Sequence, residues 1–272
     1  MKLAVSNIAW TAEEEPEAAK LLQDLGVRYV EIAPTKVWDD PLHVTDAQIK
    51  DYLDFWERHG ITVVAFQSML FTRPDLKLFE SAENRTATQE CLEQFIRLAG
   101  RMGAGVLVFG SPKNRQRGDM PEAEAAAIAK EFFGALGDTA REQGVRFCIE
   151  PNAPQYNCDF VTTAAAGISL VQEVASPGFG LHLDIACMTL AGDDVPASIK
   201  AAKDVMQHFH ISSPMLEQVA DLPDVPHRAA AEALKAIGYD KFVSIEMKPG
   251  EPGTNIGRVA EAVRFAQSVY TA

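Results

Sequence analysis

Four apolar runs in this chain each close on one side chain that can ligate a metal: Glu150 ends FCIE, Asp184 ends LHLD, His210 ends HFH and Glu246 ends VSIE. Strands buried on both faces read as continuous apolar runs. An acid closing such a run is unfavourable there unless it is paired or coordinated. Any one of these acids is also readable as a helix cap or an ion-pair partner, but four on successive runs point to a common centre. Three carboxylates and one imidazole make a hard, oxygen-rich donor set. That set predicts one divalent ion, Mn²⁺ first and Mg²⁺ or Co²⁺ next, over a structural Zn²⁺, which prefers thiolates and more imidazoles.

Strand side chains alternate with period two, so the residue two before each ligand points the same way. Those residues are Cys148, His182, His208 and Ser244. They predict a polar layer below the ligands, with His182 and His208 able to orient them by hydrogen bonds; the plainer reading is two core histidines. The HFH triplet leaves its ligand open between His208 and His210, and His210 is preferred because it lies nearer the strand end.

The segments following the runs carry Lys36, Arg73, Lys113, Arg115, Arg117 and Lys248. Arginines and lysines converging on one mouth can hold a phosphate or carboxylate, so Lys113, Arg115 and Lys248 are candidate contacts to an anionic substrate. Gln67 and Asn152 are candidate hydroxyl contacts, and Trp10, Trp38, Phe66 and Phe71 can stack on a sugar ring or fill core. Glu31 closes the second run as a further pocket acid or as a partner for Lys36.

The elements that position these groups follow a repeated cassette: an amphipathic helix, a terminal glycine, then a β-rich run. Gly26, Gly60, Gly103, Gly144 and Gly238 stand where a helix ends in a left-handed residue. Thr45 and Gln48 form a capping box, with Ile49, Leu53 and Trp56 on one face of the helix that follows. Leu92, Phe95, Ile96 and Ala99 share a face of a helix over 84–102. Eight strands alternating with about eight helices predict an α/β fold with parallel strands, and with no Gly-rich phosphate fingerprint a closed (β/α)8 TIM barrel is favoured. No linker or composition break divides residues 1–272, so one domain is expected.

A net charge of −13 over 272 residues disfavours nucleic acid and anionic membrane surfaces. No signal peptide or long apolar stretch stands out, and the four cysteines lack CxxC spacing. Reduced, buried thiols in a cytoplasmic protein are expected.

Taken together, Glu150-Pro151, Leu183-Asp184, the HFH triplet and GYDKFVSIE around Glu246 resemble the sugar phosphate isomerase/epimerase superfamily of xylose isomerase-like barrels over essentially the whole chain. The stretch from His210 to Glu246 is the most specific piece. The resemblance implies one divalent ion held by Glu150, Asp184, His210 and Glu246, with Glu150 and Glu246 as acid and base. It implies an isomerase or epimerase of a keto-sugar or related hydroxycarbonyl compound, working through an enediolate. A lyase or dehydratase acting on a keto-inositol or keto-glycoside is the alternative on the same scaffold. Two positions depart from the ketose 3-epimerase pattern: Cys187 stands where a sugar-contacting His is usual, and Leu216 where an Arg is usual. An endonuclease IV-like activity is disfavoured by the missing additional ligands and the negative charge, and a non-catalytic binding barrel by retention of all four ligands. Barrels of this type often pair, so a homo-oligomer is an open expectation.

Overall fold

A computed structural model describes residues 1–271. Eight parallel strands close into a barrel in sequence order: β1 (Lys2–Ser6), β2 (Tyr29–Ile32), β3 (Thr62–Phe66), β4 (Val106–Phe109), β5 (Arg146–Ile149), β6 (Phe179–Asp184), β7 (Met206–Ser212) and β8 (Phe242–Glu246). Helices α1 (Glu15–Asp24), α2 (Pro34–Val37), α3 (Asp46–Arg58), α4 (Ala82–Met102) and α5 (Glu122–Glu142) fill the first half. The second half holds α6 (Ala164–Val174), α7 (Ile185–Ala191), α8 (Val195–Ala201), α9 (His227–Ala236) and α10 (Asn255–Ala266). The short α2 and α7, each directly after its strand, take the number above the eight expected. No described helix is long and apolar enough to cross a membrane.

Local rules explain the framework. The Thr45–Gln48 capping box is present on α3, and Leu92, Phe95, Ile96 and Ala99 form part of the buried face of α4. All five helix-terminal glycines have positive φ, between 67° and 73°. There a side chain would crowd the following carbonyl, so glycine is favoured. All four cysteines are free and buried.

The apolar strand residues fall into two cores. Val5, Val30, Ile32, Phe66, Leu107, Phe109, Phe147, Leu183, Phe209 and Ile245 belong to the large core that includes the helices. Ala4, Val64, Ala65, Val106, Val108 and Cys148 make a small separate core, and their size suits the confined interior of a closed barrel. Cys148 therefore packs as a small hydrophobe. Register completes the placement: Asp184 pairs with His210, His182 with His208, and Ser212 with Glu246.

Candidate active site

The ends of β5 to β8 bring the four strand-closing residues together. Donor atoms of Glu150, Asp184 and His210 lie within 4.8 Å of one another. Glu246 Oε2 is 3.2 Å from His210 Nδ1. His210 is fully buried, and Glu150 and Asp184 are nearly so.

Each group is held by identifiable neighbours. Asp184 is the N-cap of α7: its Oδ1 accepts the Cys187 N–H at 2.6 Å, and its Oδ2 accepts the Ser212 hydroxyl. Glu150 rests over Gly110, where an added Cβ would come within 2.3 Å of Glu150 Oε2. The Cys187 thiol donates to Glu150 Oε1 at 3.7 Å, and Asn152 Nδ2 donates to that sulfur at 3.5 Å. Burial, then the charges of Asp184 and Glu150, raise the Cys187 thiol well above its usual range. It is a neutral donor, not a nucleophile.

Electrostatics show what the cluster accommodates. Burial and then the charges of Glu246 and Asp184 push the Glu150 carboxyl up to about 8. Burial and then Glu246 raise Asp184 as well. Burial opposes charge on His210, but Glu31 and Glu246 outweigh it and hold the imidazole well above its usual range. Carboxylates crowded this closely disfavour each other's ionisation, and a cation relieves that repulsion. His210 Nδ1 is buried and faces Glu246 Oε2 at 3.2 Å. The donor set, with this nitrogen turned toward the carboxylates, fits a divalent ion held by Glu150, Asp184, His210 and Glu246.

Glu31 supplies a link the sequence reading only half caught. Its Oε2 lies 3.0 Å from His210 Nε2 and 3.4 Å from His208 Nε2, with all three residues fully buried. A register shift between Val30 and Glu31 where β2 meets β3 accompanies this placement; such bulges re-aim side chains. Lys36 is not its partner, since the Lys36 ammonium donates to the carbonyls of Asn7 and Trp10. The lower polar layer also differs from expectation. His208 bonds to Glu31 and packs edge-on against His210 with ring centroids 5.4 Å apart, His182 packs edge-on against His210 with ring centroids 4.1 Å apart, and neither nitrogen of His182 has a hydrogen-bond partner. One layer lower, the rings face each other, and only His208 reaches a carboxylate, that of Glu31.

A cavity of about 470 Å³ opens over Glu150, Asp184 and Glu246. Gln67, Lys113 and Asn152 line it, as do Cys187 and Leu216. Arg115 and Lys248 do not, and both are corrections to the anion-contact reading. Arg115 is fully buried, donating to the carbonyls of Gly110, Phe160 and Glu150 and to Asn152 Oδ1. Lys248 turns outward to Glu217 at 2.6 Å. Arg73 pairs with Asp75, and Arg117 caps the Met120 carbonyl. The loop cations therefore do not converge. Trp10 and Phe66 are core, Trp38 packs on Tyr52, and Phe71 alone of the four aromatics reaches the cavity.

Ser68, Ser111 and Tyr156 also line the cavity and carried no sequence signal. Ser68, Ser111 and Leu216 have positive φ of 54°, 35° and 56°. Such backbone costs about 1–3 kcal/mol per non-glycine residue and concentrates at binding sites.

The family model of the xylose isomerase-like TIM barrel matches residues 19–269, and the chain belongs to that family. It is 27% identical over 151 residues to the L-ribulose 3-epimerase of Mesorhizobium japonicum, covering 55% of this chain and 48% of that protein. The chain spans about half the length of the curated relatives it matches. Among solved structures, D-psicose 3-epimerase from Clostridium cellulolyticum H10 superposes with a TM-score of 0.81 at 18% identity, covering 99% of both chains. A 3-keto-D-glucoside 4-epimerase from E. coli superposes with a TM-score of 0.79 at 16% identity, covering 97% of this chain and 99% of that one. At such identities these structures show a shared fold.

Proposed function

We propose that the chain is a divalent-metal-dependent isomerase or epimerase acting beside the carbonyl of a keto-sugar or related hydroxycarbonyl compound. The observation that carries this is the meeting of Glu150, Asp184 and His210 within 4.8 Å, with Glu246 against His210, under a cavity of about 470 Å³. Family membership and relatives named L-ribulose 3-epimerase and ketose 3-epimerase support the same class. Glu150, Asp184, His210 and Glu246 would hold the ion, with Mn²⁺ the best match to the donors. When bound, a divalent ion supplies Lewis-acid stabilisation for negative charge developing on a substrate oxygen.

The chain's own residues do the rest. Glu150 and Glu246 reach the cavity from β5 and β8, so one takes the proton beside the carbonyl and the other returns one. Return to the opposite face of that carbon inverts it, and return to the neighbouring carbon isomerises aldose and ketose. Asp184, fixed by the Cys187 N–H and the Ser212 hydroxyl, is a positioning ligand with no part in proton transfer. Gln67, Lys113 and Asn152 hold substrate oxygens. Cys187 and Leu216 stand where the ketose 3-epimerase pattern has His and Arg, which turns the proposal away from a free ketohexose.

The test is NMR in deuterated water, with Mn²⁺ and a panel of ketoses and keto-glycosides. Deuterium should enter beside the carbonyl, and Glu150→Gln and Glu246→Gln should each slow this by about 10²–10⁴-fold. No incorporation anywhere in the panel, or full activity in both variants, sinks the reading. A new C=C bond or a released fragment replaces it with a lyase.

A further inference from the structure

The cavity lining combines buried carboxylates with loop residues, both polar (Ser68, Ser111, Lys113) and apolar. Glu150, Asp184 and Glu246 lie at its floor, while Leu70, Phe71, Pro74, Pro112 and Leu216 supply apolar lining from the loops above. Phe71 is 82% exposed, the most exposed large apolar side chain among the described residues. Met215, next to Leu216, is 45% exposed. Isolated exposed apolar residues are ordinary on a protein surface. An aromatic with this much open surface on the wall of a cavity that also holds buried carboxylates is a different matter, because bound ligand is what would cover it.

The backbone shows that this wall is built. Met215 and Leu216 have consecutive positive φ values of 61° and 56°, a conformation non-glycine residues keep only when neighbours impose it. The neighbours are identifiable: the Met215 N–H donates to the Tyr156 hydroxyl at 2.9 Å, and the Leu216 carbonyl accepts the Lys248 N–H at 2.7 Å. Two unfavourable residues are thus pinned from both sides, and the result is a leucine in the cavity wall. Of the loop cations, only Lys113 reaches this space, so a strongly anionic tail finds no matching cluster.

We infer that the substrate is amphiphilic: a hydroxycarbonyl sugar unit reacts at the carboxylate floor, and an alkyl or aryl substituent, as in the aglycone of a keto-glycoside, seats against Phe71 and Leu216. This rests on the reading of the floor as the reacting end. A volume of about 470 Å³ accommodates both parts, since pockets of roughly 300–1,000 Å³ enclose drug-sized ligands.

Calorimetric titration of the Mn²⁺-supplemented protein with keto-glucosides whose aglycone grows from methyl through butyl to phenyl tests this. Burying a phenyl ring should lower Kd by about 30-fold relative to methyl. Phe71→Ser and Leu216→Asn should each shrink that ratio by about fivefold. Phe71 is exposed, so its variant should keep the fold. A Kd that stays flat or rises along the series, failure of every member to bind, or a ratio that neither variant moves overturns the inference. Deuterium exchange into the same compounds reports separately on the floor. Exchange with flat affinity defeats the apolar end alone, whereas an affinity gradient without exchange supports the apolar end and defeats the proton-transfer reading.

Discussion

Glu31 Oε2 lies 3.0 Å from His210 Nε2, and both residues are fully buried. If His210 Nε2–H donates to that carboxylate, the lone pair of Nδ1 is left on the side of Glu246, where a metal is proposed. A carboxylate behind a metal-binding imidazole fixes its tautomer and ring orientation, and removing such a partner typically weakens metal affinity 10–100-fold. Glu31→Gln should therefore weaken Mn²⁺ binding by about that factor in a calorimetric titration. Unchanged affinity would reduce Glu31 to a structural partner of the two histidines.

Gly110 and Glu150 share space that no larger side chain can enter. A Cβ at position 110 would sit 2.3 Å from Glu150 Oε2, well inside van der Waals contact. Gly110→Ala should displace the carboxylate while leaving the barrel folded. The expected outcome is at least a tenfold loss of Mn²⁺ affinity and about a 100-fold loss of turnover. Circular dichroism and thermal unfolding check the fold, and retained metal affinity counts against this placement of Glu150.

These two pairs show how much of the site was legible. An acid or imidazole closing an apolar strand is a local pattern, and barrel closure brings such strand ends together at one mouth. For that reason Glu150, Asp184, His210 and Glu246 could be read before the fold was known. Glu31 carries the same pattern, yet its partner depends on a register shift between β2 and β3 that composition does not reveal. The loop residues were least legible. Arg115 and Lys113 look alike in KNRQR, and only the folded loops decide that one is buried and the other lines the cavity. The positive φ of Ser68, Ser111 and Leu216 is likewise imposed by tertiary contacts, not by residue type.

Arg115 ties the loops after β4 and β5 together. Its guanidinium donates to four carbonyls, of Gly110, Glu150, Phe160 and Val161, and to Asn152 Oδ1 with no exposure to solvent. Arg115→Met keeps much of the volume but takes the guanidinium from five acceptors, of which the Phe160 carbonyl keeps the Cys158 thiol and the Val161 carbonyl keeps the Asn152 N–H. Each unsatisfied buried group costs about 1–3 kcal/mol, reduced where the loop relaxes. A loss of about 3–5 kcal/mol in urea unfolding is expected, with weaker metal binding because the Glu150 backbone loses an anchor. A loss below about 1 kcal/mol would show that the loops are held by other contacts.

His227 sets an acid limit on stability. Its Nδ1 lies 2.9 Å from the Tyr270 hydroxyl, and its Nε2 is buried with no partner. Burial pushes the imidazole down to about 4, with Asp221 opposing weakly. An unfolded histidine titrates near 6.5, so between about pH 6.5 and 4 the unfolded chain binds a proton that the folded chain excludes. Stability therefore rises with pH across this window and falls on acidification. The full span corresponds to roughly 3 kcal/mol, present above pH 6.5 and lost by about pH 4. Urea midpoints at pH 7 and pH 4.5, measured in chelator for wild type and His227→Gln, isolate this contribution from that of the carboxylates. The variant should lose about 2 kcal/mol less than wild type between the two conditions; equal losses would show that His227 takes up its proton without unfolding.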